Sequence, residues 1–208
     1  MIRLTVRSFA ELLHLPAHAQ VRILNEQKYP RREPQVFKVP FYQVAVTGIR
    51  NFYDSDCDPR QLAAARARAA LLRPAQKRTS NERALRSFER SSQADRVIRP
   101  TPTPTYRARL NREIELRVRF DIEGLEDDTP HRILYNLRNV QVDAEVAAST
   151  LHISYWVLGE NGLVVPIRTL ELVDLLTDDT YSVSRQSQRT LRLMEENARI
   201  IGTLWPSL

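Results

Sequence analysis

The spacing of apolar positions divides the chain into a helical first half and a strand-rich second half. In SFAELLHL, Phe9, Leu12, Leu13 and Leu15 form one apolar cluster, as on the buried face of an amphipathic helix. Ser8 is its expected cap, with Glu11 three residues on as in a capping box. Pro16 breaks that helix, and Val21, Ile23 and Leu24 predict a second one. Pro30, Pro34 and Pro40 predict an extended arm over residues 25–40. FYQVAVTGIRNF, residues 41–52, is apolar on most sides and predicts a buried helix. Residues 60–72, RQLAAARARAALL, are strong helix formers throughout, closed by Pro74. A further helix is expected from Ser80, with Ala84, Leu85 and Phe88 on one face and Arg83, Arg86 and Arg90 along another.

IRPTPTPT interrupts this pattern, because alternating prolines favour polyproline II. It predicts a boundary between a helical part, residues 1–100, and a second unit, residues 101–208. Beyond it the period changes to two. TYRARL alternates, IELRVRFDIEGL alternates with Ile114, Leu116, Val118 and Phe120 on one side, and RILYNLRNV follows a polar loop that holds His131. Three strands with short turns predict an antiparallel meander. VDAEVAASTLHISYWVLGENG then has helical length and a glycine stop. TLELVDLL is apolar enough for a strand covered on both faces, and a last helix carries Leu191, Met194, Ile201 and Leu204 toward a core. The expected class is therefore mixed α/β, a helical part followed by an α-βββ-α-β-α core.

Composition excludes several classes. The single cysteine, Cys57, leaves neither an intrachain disulfide nor a cysteine zinc site. No apolar run has membrane-spanning length, and the start lacks a signal-peptide cleavage pattern, so the expected address is the cytoplasm. Asp54, Asp56 and Asp58 alternate, but without the glycine and distal glutamate of a calcium loop they predict a helix start or a plain loop. No glycine-rich phosphate loop and no Ser-His-Asp pattern is present.

Charge changes the picture once it is divided along the chain. The net charge is +2 over residues 1–59, +11 over 60–120 and −7 over 121–208. A basic centre beside an acidic third points to a nucleic-acid face, or to solvated arginines in an arginine-rich composition. Arg66, Arg68, Lys77, Arg78, Arg83, Arg86 and Arg90 are the candidates for phosphate contact.

The element order from residue 101 onward resembles the PD-(D/E)XK nuclease superfamily, in particular its RecB-like branch. In that family one core strand carries an aspartate, and the next carries Asp/Glu-x-Lys. Oxygen ligands converge there on Mg²⁺ beside a cation that orients the attacking water. RVRFDIEGL resembles the first strand, placing Asp121 at the metal-ligand position. RILYNLRN resembles the second, with Asn136 in place of the carboxylate and Arg138 in place of the lysine. An amide is a poorer ligand and a guanidinium cannot act as a base. His152 and Trp156 fall near the places of a glutamine and tyrosine of RecB-like proteins.

The resemblance implies a degenerate nuclease-like domain that binds DNA or RNA with cleavage lost or altered. If cleavage survives, it implies metal-assisted phosphodiester hydrolysis with Asp121 on Mg²⁺ and Arg138 at the phosphate. Glu113, Glu115 and Glu123 are then substitute ligands or ordinary strand residues. Asp121 is also readable as an exposed strand residue, and Asn136 as a satisfied buried amide. A non-enzymatic subunit docking on a protein partner through the 25–40 arm and the acidic third is the competing function.

Overall fold

The structure is a computed structural model that describes residues 1–29 and 41–207. Its elements are β1 (Ile2–Thr5), α1 (Val6–Leu13), α2 (Ala17–Lys28), α3 (Gln43–Asp54), α4 (Pro59–Ala70), α5 (Ala75–Arg90) and β2 (Arg99–Pro100). They continue with β3 (Tyr106–Arg109), β4 (Ile114–Val118), β5 (Ile122–Glu126), β6 (Thr129–Asn136), α6 (Ala144–Glu160), β7 (Leu170–Asp174), β8 (Asp179–Tyr181) and α7 (Gln188–Leu204). The strands form two mixed sheets, β1-β4-β3 and β2-β5-β6-β7-β8. The proline-bearing stretch of the 25–40 arm from Pro30 on lies outside the described residues.

The larger sheet separates two apolar layers. Alternation puts Ile122, Ile133, Tyr135 and Val173 on one face, where they pack with Ile49 and Phe52 of α3, Leu62 of α4, and Leu85 and Phe88 of α5. Leu134, Leu170 and Leu172 face the other way, onto Phe9 of α1, Leu151 and Val157 of α6, Met194 of α7 and the smaller sheet's Ile114 and Leu116. β7 runs parallel to β6, and α6 is the crossover such a pair requires. Every residue of β7 is buried, as its apolar run predicts.

The boundary expected at residue 100 does not separate the packing. β1 pairs in parallel with β4, α3, α4 and α5 cover one face of the larger sheet, and Arg99–Pro100 is itself a strand on the edge of β5. Gly124 permits that contact, because a Cβ there would lie 2.6 Å from the Arg99 carbonyl oxygen.

Other expectations shift in detail. α1 begins at Val6, and its cap is Thr5, whose Oγ1 accepts from the Ser8 amide at 3.1 Å. Thr5 ends the short strand β1, which is too brief to show in the alternation. α5 begins at Ala75, directly after Pro74, so Ser80 lies inside the helix. Asp58 caps α4 through the Arg60 amide at 2.9 Å, which accounts for the third aspartate of that loop.

The long alternating run over residues 114–125 is not one strand. It leaves the smaller sheet after Val118 and enters the larger one at Ile122, so Arg119, Phe120 and Asp121 make the crossing. Phe120 is fully buried there. The hairpin turn is also shorter than the polar run suggests. Asp127 and Asp128 have φ of 48° and 60°, which fits a two-residue connection, and His131 therefore lies on β6 opposite Gly124.

Candidate functional site

The crossing between the sheets builds the main cavity. Asp121 follows fully buried Phe120, and its Oδ2 accepts the Tyr135 amide at 2.8 Å. The carboxylate thus takes an N–H at the far end of β6. Burial pushes the Asp121 carboxyl up, opposed chiefly by the charge of Arg7, then by the Tyr135 hydrogen bond and by Arg50 and Arg119.

Each arginine is held from a different element. Arg7 sits in the first turn of α1 and donates to the Tyr135 carbonyl at 3.0 Å. Arg50 comes from α3 and donates to the Asp121 carbonyl at 2.8 Å and to Thr103 Oγ1 at 2.5 Å. Arg119 is exposed on the crossing segment. Arg138 lies just past β6 and pairs with Glu11 Oε1 at 2.6 Å. All four line a cavity of about 460 Å³ together with Asp121, Tyr135 and the aromatic pair Phe41 and Tyr42. Four guanidinium groups face one carboxylate there, so the cavity carries an excess of positive charge and attracts anions.

Of the residues expected in the site, Asp121 and Arg138 are brought together and Asn136 is not. Asn136 is buried, and its Nδ2 donates to the Val140 carbonyl at 2.8 Å. It stands beside fully buried Asp174, which accepts the Val142 and Leu176 amides. These two side chains clamp the loops that follow β6 and β7. Asn136 is thus the satisfied buried amide.

The basic helices place their charges unevenly. Arg83 donates to the Leu137 carbonyl at 3.2 Å and lies beside Arg138 and Asn136 in a shallow crevice. Arg83, Arg86 and Arg90 line one groove along α5 together with a single carboxylate, Glu82. The crevice and the groove share Arg83, so the basic surface continues from the Asp121 cavity along α5. Arg66 is tied to Glu89 at 2.9 Å, which reduces its availability to phosphate. Arg68 and Arg78 are exposed, and Lys77 is half-buried.

The metal expectation can be weighed against the donors present. Mg²⁺ takes oxygen ligands from carboxylates. Glu123 is turned away from the cavity, bonded through Oε2 to Arg132 and Tyr106, both at 3.1 Å. Glu115 pairs with Arg3, and Glu113 is exposed. Asp121 is left as the lone carboxylate among guanidinium groups, with one oxygen already engaged. Among the described residues no group of three or more His, Cys, Asp or Glu side chains is arranged to hold a metal ion. This donor set does not fit Mg²⁺: the single carboxylate is already opposed by the charge of Arg7, and a dication would be repelled by the same cations that favour an anion.

Sequence reasoning missed Arg7, Arg50 and Arg119. A signal was available for one of them. Arg50 is a cation inside a helix read as apolar, and a charge in such a place needs a buried partner.

The chain matches no protein-family model, no curated protein and no solved structure. No helix among the described residues is long and apolar enough to cross a membrane.

Proposed function

We propose that this chain is a PD-(D/E)XK-like protein that binds nucleic acid through its phosphates, without metal-assisted cleavage. The observation that carries the proposal is the Asp121 cavity, where four arginines from four segments surround a single carboxylate. Guanidinium groups match phosphate oxygens in charge and geometry. The groove of Arg83, Arg86 and Arg90 extends the cationic surface, as a backbone-tracking ligand requires. The nuclease-like part rests on element order. A hairpin of β5 and β6, the crossover α6 and the parallel neighbour β7 follow one another, with Asp121 entering β5 and Arg138 leaving β6 at the same end.

Fluorescence anisotropy with labelled single- and double-stranded DNA and RNA tests this. Binding should weaken steeply between about 50 and 200 mM salt, and should be unchanged by EDTA. Arg119→Ala and Arg86→Ala should each reduce the salt slope by roughly one. Absence of binding to every oligonucleotide would remove the proposal and leave a protein-docking subunit in its place. Mg²⁺-dependent cleavage lost in Asp121→Ala would overturn the metal-free part.

A further inference from the structure

A second cavity, of about 620 Å³, opens where the β8 connection enters α7, lined among others by His152, Ser182, Ser184, Arg185, Gln186 and Ser187. None of its lining residues belongs to the Asp121 cavity. We propose that it is a binding site for a phosphomonoester-type oxyanion.

The first support is the end of α7, a helix of 17 residues. Its N-terminus carries partial positive charge and N–H groups without intrahelical partners. Ser187 Oγ satisfies the Thr190 amide at 3.2 Å, leaving other first-turn donors for an anion. Arg185 is exposed beside them and makes no ion pair among the described residues. No carboxylate lines the cavity.

The second support is independent of the helix. His152 projects from α6 and is only 7% exposed, yet its imidazole has no hydrogen-bond partner and its buried Nδ1 is left unsatisfied. Burial lowers its pKa, which favours a neutral ring able to donate one N–H. Gln186 is fixed by its Nε2, which donates to the His152 carbonyl at 3.1 Å, and its Oε1 is buried without a donor. Unpaired buried polar atoms are costly and native folds satisfy nearly all of them. A monoester or hydrogen phosphate in the cavity supplies oxygens to accept from Arg185 and from the imidazole Nε2–H, the ring nitrogen that is not fully buried.

NMR of the histidine rings tests the proposal on the whole chain, with inorganic phosphate and glycerol phosphate as probes against chloride at matched ionic strength. The His152 signal, assigned with His152→Asn, should shift saturably with phosphate, while that of exposed His18 stays in place. Arg185→Ala should weaken the response at least about tenfold, and Arg86→Ala on the other basic surface should leave it unchanged. Gln188→Glu, which adds a carboxylate to the cavity lining, should also weaken it, which guards against a His152 variant that disturbs folding. Tighter binding of glycerol phosphate assigns the site to organic phosphates, and equal binding to the free anion. A His152 signal that does not saturate, or saturates equally in Arg185→Ala, overturns the site.

Discussion

Asp121→Asn separates an anion pocket from a metal site, because the two assign opposite signs to the carboxylate. The amide keeps an oxygen for the Tyr135 N–H, 2.8 Å from the present Oδ2, so the local backbone has no reason to move. It removes the one negative charge lining a cavity with four arginines. A phosphate roughly 6 Å from that carboxylate, at an effective dielectric of about 20 to 80, is repelled by about 0.7 to 3 kcal/mol. Tightening of roughly three- to 150-fold is therefore expected in anisotropy titrations at moderate salt, with no change in EDTA. The stability arm has a definite sign as well. Burial raises the folded pKa of Asp121, so the folded state binds this proton more tightly than the unfolded chain, whose value is about 3.9. Its contribution falls as pH rises from that value through the raised folded one, and is unfavourable above it. Urea melts of Asp121→Asn should lack this decline and show no loss of stability at neutral pH. Unchanged or weaker binding by a fully folded Asp121→Asn would refute the electrostatic argument.

Gly48→Ala should destabilise by about 1–3 kcal/mol, despite the better helix propensity of alanine, because a Cβ there would stand within van der Waals radii of Ala65 Cβ; urea denaturation measures it. Hydrogen bonds from Arg96 hold Glu126 below the usual carboxylate range, so its stabilisation is complete above the unfolded value of about 4.3 and is lost as pH falls through the lowered folded one. Glu126→Gln should flatten that acid limb in melts between about pH 2 and 6. Introducing a PD-(D/E)XK-type motif with Asn136→Glu and Arg138→Lys should give no Mn²⁺-dependent cleavage and should lower thermal stability, since it puts a second carboxylate beside buried Asp174. Cleavage by that double variant would show that the site is one substitution pattern away from activity.

Much of the architecture was legible because it rests on long periodic runs. The α3, α6 and β7 segments follow from apolar patterns of 12, 17 and 5 residues, and burial on both sides of β7 follows from its lack of alternation. What was not legible depends on contacts distant in sequence. β1 is four residues long and is a strand because β4 lies beside it; IRLT alone cannot say so. The break at Arg119–Asp121 is silent as well. Ile114, Leu116, Val118, Phe120 and Ile122 all alternate into buried positions, so the pattern is the same whether one strand continues or two sheets exchange it.

The candidate site shows the same division in a sharper form. Counting along the run puts Asn136 and Arg138 on the face opposite Tyr135, and the register agrees for Asn136, the last residue of β6. Parity fixes only the face of a strand, however, and this face is shared by two neighbours. Toward β5 it meets Asp121 and Arg7; toward β7 it meets Asp174. Asn136 is turned to the second, where an amide can satisfy the Val140 carbonyl next to a fully buried carboxylate. A glutamate in its place would meet the charge of Asp174, which supplies a reason for an uncharged residue that is independent of catalysis. Arg7 supplies the other half. Asp121 is compensated by a guanidinium held on the Tyr135 carbonyl, and this compensation needs no dication. The two changes read in sequence as losses from a nuclease motif therefore correspond, in the fold, to one consistent arrangement of charge: carboxylates are each tied to backbone amides, and the open cavity is left to cations that an anionic ligand can meet.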